Sequence, residues 1–155
     1  MDILRDCFFN RSISMGFIDE KSIHPMTIKN LFAYSCKLSE FGGFFASILS
    51  AGGGFLPNGK IDPGHTAGIF PNSKNAWTGT PGFIQVEDAP KPPSTRYTAN
   101  ASLLMASENI FGFLFGQDRK QTLENIQNTE VSMNDCPIKL IEQSRAHVLY
   151  TDIAV

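Results

Sequence analysis

Ile13, Met15 and Phe17 alternate with Ser12, Ser14 and Gly16, a period of two that predicts a strand with one buried face. Before it, Ile3, Leu4, Cys7 and Phe8 fall on one side at helical spacing, with Asp2, Arg5 and Asp6 opposite. That predicts a short amphipathic helix over 1–10, docked on the core or drawn to a membrane surface. After the His24-Pro25 break, β-branched and aromatic content over Met26 to Tyr34 favours strand, with a helix from near Thr27 as the alternative. Phe41 to Leu49 is apolar, and Gly52-Gly53-Gly54 follows it. Asn58-Gly59 is a strong hairpin signal, because both residues tolerate positive φ. Further short apolar runs read as strands at Thr66 to Phe70, Phe83 to Val86, Tyr97 to Met105, Ile110 to Phe115, Thr129 to Met133, Ile138 to Ile141 and Val148 to Val155. Phe111, Phe113 and Phe115 share one face of such a strand. Leu123 to Asn128 reads as a helical turn.

Short strands broken by Gly, Pro and Asn at close intervals predict a mainly β fold, a single antiparallel β-sandwich with a short N-terminal helix. The proline-dense stretch 89–94 reads as an exposed crossover inside a single β-rich domain spanning 1–155.

Composition fits that picture. The chain has 155 residues, enough to bury a core without disulfides or metals. Only 18% of residues are charged, and there are 13 Gly, 9 Pro and 13 Phe, which argues against a helical bundle and against disorder. A net charge of −2 offers no basic excess for phosphates, so nucleic acid is not an expected partner. Cys7, Cys36 and Cys136 match no zinc or redox spacing and read as reduced thiols. The acidic start lacks a secretory pattern, so synthesis in the cytoplasm without a signal peptide is expected, with release or peripheral membrane association afterwards. The apolar runs fall short of the ~20 residues that span a bilayer.

Candidate chemistry is sparse. Gly54-Phe55-Leu56-Pro57-Asn58-Gly59-Lys60 fits the phosphate-loop pattern, but Ile61 stands where a magnesium-binding hydroxyl belongs and Asp62-Pro63-Gly64 stops any helix. An Asn-Gly hairpin explains the same residues. His24, His65 and His147 share no metal-ligand spacing. His65 sits in an accessible turn and reads first as a surface polar residue, then as an acid–base candidate. No nucleophile elbow or converging carboxylate pair is visible. The expectation is therefore no catalytic residue, no metal and no cofactor. The loop from Pro71 to Gly82 carries the single Trp77 among polar residues. An indole in such a loop anchors the loop or meets a ligand. The candidate ligand-binding residues are Trp77, His65, Asn75 and Lys74.

The segments Met26-Thr27-Ile28-Lys29-Asn30-Leu31, Gly59-Lys60-Ile61, Pro63-Gly64 and Gly79-Thr80-Pro81-Gly82-Phe83 resemble, in order, those of aegerolysins over about residues 13–88. Actinoporin-like sandwiches are similar in carrying an N-terminal amphipathic segment. The resemblance implies a β-sandwich that binds membrane lipid and acts with a protein partner; it assigns no particular residue. The functional expectation is a non-enzymatic, toxin-like binding module associated with membrane lipid. The alternative is an assembly subunit forming homo- or hetero-oligomers through sandwich surfaces.

Overall fold

A computed structural model describes residue 6 and residues 9–23, 25–77 and 79–154. Its helices are α1 (Asn10–Ser14), α2 (Leu31–Glu40), α3 (Ala101–Met105) and α4 (Lys120–Gln127). Its strands are β1 (Ala46–Ser50), β2 (Phe83–Val86), β3 (Arg96–Ala99), β4 (Asn109–Leu114) and β5 (Ala146–Thr151). Three strands form a sheet in the order β1-β4-β5, and both pairings are parallel. β2 and β3 form a separate antiparallel pair, joined by the proline-rich segment.

β4 organises the core because its side chains alternate strictly. Ile110, Gly112 and Leu114 point inward, and Ile110 and Leu114 are fully buried. They share a cluster with Leu103 and Leu104 of α3, Leu123 and Ile126 of α4, and Ile138, Leu140 and Ile141 of a 3-10 segment, Pro137–Gln143. Packing over Gly112 is close, since a Cβ there would lie 3.0 Å from Leu149 Cδ1. The opposite face carries Ile48, Phe111, Phe113, Val148 and Tyr150 in register. The Phe113 and Tyr150 rings stack at 5.3 Å, yet Ile48 is 76% exposed. One face of this parallel sheet is therefore packed and the other is open, whereas parallel sheets are usually covered on both.

Asn100 ties the hairpin to the core. Its side chain accepts from the Leu103 amide, capping α3, and from the Gly82 amide, and it donates to the Thr80 carbonyl at 2.8 Å. Ser35 of α2 accepts from the Phe83 amide at 2.8 Å and so seats α2 on β2.

The antiparallel sandwich is corrected. The three-stranded sheet is parallel, and helices and 3-10 segments cover its packed face. Several runs read as strands have other structures. Ser12 to Phe17 begins in α1, Met26 to Tyr34 leads into α2, Ala101–Met105 is α3, and Ile138 to Ile141 is 3-10 helix. The last two are almost wholly buried, and a short apolar run buried on all sides has no period to separate helix from strand. Strands at Phe83–Val86 and Asn109–Leu114 and the helix near Leu123 are where the pattern places them. The expected helix over 1–10 falls mainly outside the described residues. The Asn58-Gly59 turn is present: the Leu56 amide donates to the Lys60 carbonyl at 2.7 Å, and Phe55 bridges to Ile61. No helix starts at Lys60, as a phosphate loop would need. Among the described residues no helix is long and apolar enough to cross a membrane.

The central position of β4 sets a stability contrast. Ile110→Ala should cost about 2–5 kcal/mol in urea unfolding, while Ile48→Ala on the open face should stay within about 0.5 kcal/mol. Equal losses at the two positions would mean that the open face is packed in solution.

Candidate active site

The segment after β1 continues the sheet edge and then turns across its carboxyl end. The Ala51 amide donates to the Phe113 carbonyl at 2.9 Å, and Ala51 bridges to Thr66. Thr66 Oγ1 donates to the Ser50 carbonyl at 3.0 Å, and the Gly52 amide donates to the His65 carbonyl at 2.6 Å. The turn Asp62-Pro63-Gly64-His65 is thus laid over the carboxyl ends of β1 and β4, where open α/β sheets place their ligands.

Asp62 builds that turn. Its Oδ1 accepts from the amides of Gly64 and His65 at 3.1 and 3.0 Å, a side-chain turn of the kind aspartate favours. Gly64 has φ +119°, and a Cβ there would also lie 2.7 Å from Thr122 Cγ2, so glycine is needed on both counts. Asp62 Oδ2 takes His65 Nδ1 at 2.5 Å and Lys91 Nζ at 2.7 Å. The Asp62 side chain is fully buried, while those of His65 and Lys91 are 17% and 23% exposed. Lys91 reaches in from the proline-rich segment and also donates to the Gly53 carbonyl at 3.0 Å. That segment is folded back by Arg96, which donates to the carbonyls of Lys91, Pro92 and Pro93.

Burial alone would push the Asp62 carboxyl up. The His65 side chain, the Lys91 ammonium and the His65 and Gly64 amides outweigh it, and Asp62 is held well below the usual carboxylate range. Behind the turn, Cys136 Sγ donates to the Pro63 carbonyl at 2.9 Å, and burial pushes this thiol up to about 12. A thiol so protonated is no nucleophile.

The imidazole is held by a ring and by backbone. Its ring stacks on Phe70 at 4.3 Å and 13°, with the Arg96 guanidinium 5.1 Å from the Phe70 centroid. A Cβ on Gly52 would lie 1.9 Å from His65 Cε1 and Nδ1, so the backbone approach demands glycine. Gly53 admits Arg119 in the same way, its Cβ position being 2.4 Å from Arg119 Cγ. The Arg119 Nη1 donates to the Phe115 carbonyl, and its Nε is buried with no hydrogen-bond partner among the described residues. A cleft of about 560 Å³ lined by Lys60, Ile61, Pro63, Asn72, Asp88 and Asp135, among others, flanks the turn.

In the neutral ring that donates Nδ1–H to the carboxylate, the lone pair lies on Nε2. That is the arrangement of a general base whose charged form a buried carboxylate stabilises. Among the described residues no group of three or more His, Cys, Asp or Glu could hold a metal ion.

Of the four residues singled out from sequence, His65 lies at this centre. It is not a solitary turn residue, because Asp62, three positions earlier, partners it. Lys74 and Asn75 are exposed on the next loop. Trp77 is half-buried and packs against the hydrophobic core. Asp62, Lys91 and Arg119 escaped the sequence reading. The Asp-Pro-Gly-His spacing was a local signal for the first, whereas the other two arrive from segments far along the chain.

A side chain at Gly52 must displace the imidazole. Gly52→Ala should lower stability by about 1–3 kcal/mol in urea unfolding. Unchanged stability would mean that the ring does not rest on this backbone.

The matches to known proteins agree with one another. The profile of the glucosamine-6-phosphate isomerases/6-phosphogluconolactonase family matches residues 59–150, more than half of the chain. A 6-phosphogluconolactonase of Borreliella burgdorferi is 24% identical over 159 residues, covering 98% of this chain and 64% of that protein. The 6-phosphogluconolactonase from Trypanosoma cruzi shares the fold with TM-score 0.58 at 16% identity, over 84% of this chain and 53% of that one. The enzyme from Trypanosoma brucei does so with TM-score 0.52 at 17% identity, over 86% and 56%. The chain thus spans about two thirds of the curated relative's length and about half of these solved chains. These matches overturn the aegerolysin resemblance, and with it the lipid-binding, toxin-like module and the non-enzymatic assembly subunit, since the relatives carry the names of enzymes. The chain belongs to the family of glucosamine-6-phosphate isomerases and 6-phosphogluconolactonases.

Proposed function

We propose that this chain hydrolyses the ring ester of a phosphorylated sugar lactone, with His65 as general base. The Asp62–His65 pair at the carboxyl end of the parallel sheet carries this reading. The lactone, 6-phosphogluconolactone, is taken from the names of the relatives. In this reaction Nε2 of His65 removes a proton from water, and the oxygen adds to the lactone carbonyl. The tetrahedral species collapses, the ring oxygen leaves with the proton from the imidazolium, and an open-chain acid results. Asp62 stabilises the imidazolium between the two transfers. The substrate is anionic, and Arg119 places a cation beside the glycine run. The unpartnered Arg119 Nε supports a role for this edge in anion binding.

The test is acid release from 6-phosphogluconolactone above the spontaneous rate. His65→Gln should reduce the enzymatic rate about 10²–10⁴-fold without changing the unfolding midpoint by more than a small fraction. A wild-type rate equal to buffer alone, or a His65→Gln rate equal to wild type, would sink the proposal.

A further inference from the structure

Three features lie beyond the bare pairing of Asp62 and His65: the open apolar sheet face, the cleft between α2 and β2, and the lysine that shares the carboxylate. We propose that Lys91 is a positioning residue that keeps the His65 ring neutral, by occupying the same carboxylate oxygen that anchors the imidazole. This rests on the reading of His65 as a base.

Charge balance around the fully buried Asp62 carboxylate decides the protonation of the ring. A buried carboxylate facing a lone imidazole favours a proton on both ring nitrogens, because the ion pair is neutral overall. Such a ring has no lone pair to offer. Here the ammonium sits 2.7 Å from Asp62 Oδ2, and His65 Nδ1 sits 2.5 Å from the same atom. The carboxylate is already balanced by Lys91, and a second positive charge on the ring would be repelled by the first. Geometry fixes the ammonium: the Gly53 carbonyl takes another of its protons at 3.0 Å, and Arg96 holds the lysine's own backbone carbonyl at 3.1 Å.

The other groups around the ring do not replace it. Arg96 meets the imidazole only through the intervening Phe70 ring. Arg119 packs on Gly53 and donates to the Phe115 carbonyl. Cys136, behind Pro63, is held as the neutral thiol by burial. Among the described residues, the ion pairs at this centre are those that Asp62 makes with His65 and with Lys91.

Two variants separate charge from packing: Lys91→Met keeps the stem and removes the charge, and Lys91→Arg keeps the charge. Two readouts are taken on the full chain, the pH–rate profile of 6-phosphogluconolactone opening and the ¹⁵N NMR signals of the His65 ring. In Lys91→Met the acid limb should move up by about one pH unit, a tenfold loss at a fixed pH on that limb. The rate should recover at higher pH with KM unchanged, and the ring should show both nitrogens protonated at a pH where the wild-type ring shows one. Lys91→Arg should restore the wild-type behaviour. A folded Lys91→Met with an unmoved limb and a raised KM would overturn the proposal, making Lys91 a substrate contact. An equal loss at every pH would overturn it too. If Lys91→Met does not fold, Lys91→Gln takes its place under the same criteria. The NMR readout needs no turnover, so it decides the role of Lys91 even if the lactone proves not to be the substrate.

Discussion

The buried carboxylate of Asp62 is the contact on which the site depends. One oxygen closes the turn onto two backbone amides, and the other gathers an imidazole and an ammonium from distant segments. The Asp62 amide donates to the Gly54 carbonyl at 2.8 Å, which fastens the turn to the glycine run. Its folded-state acidity is raised relative to an unfolded aspartate, whose ordinary value is about 3.9. The sign of the linkage follows. The stabilisation is fully present above the unfolded value and is lost as pH falls through the lower folded value. The contribution of this carboxylate is therefore complete at neutral pH and falls away in acid.

The fold serves this contact by bringing backbone close. β1 and β4 run parallel, so their carboxyl ends open on the same edge, and the 51–66 segment folds over it. Glycines at 52 and 53 let the imidazole and the Arg119 side chain lie directly on the chain. Chemistry placed on a loop is held rigid by hydrogen bonds to the ends of buried strands, the usual division of labour between scaffold and site.

The amino-acid pattern made parts of this legible and hid others for physical reasons. The alternation over Ile110 to Phe115 located β4, because one face is buried and the other is not. The Asn58-Gly59 turn was legible because its conformation is a local property. The parallel direction of the sheet was hidden, since strand alternation is the same in either direction and the short apolar runs inside its connections look like further strands. Ala101–Met105 was taken for strand because five mostly buried residues hold barely more than one helical turn of signal. At the site, His65 was noticed, but its partner lay in a Pro-Gly turn that read as mere punctuation. Lys91 was hidden in a proline-rich segment, and Arg119 lies far along the chain; neither's distance along the chain tells of its proximity in space.

The central claim is that Asp62 anchors one ring nitrogen of His65 and leaves the other free to take a proton. ¹⁵N-resolved NMR of the wild-type imidazole at neutral pH reads this directly. The account predicts a proton on Nδ1, protected from exchange by its bond to the buried carboxylate, and an unprotonated Nε2. A proton found on Nε2 with Nδ1 bare would contradict it, because the carboxylate would then not be holding the ring and the outward nitrogen could not act as a base.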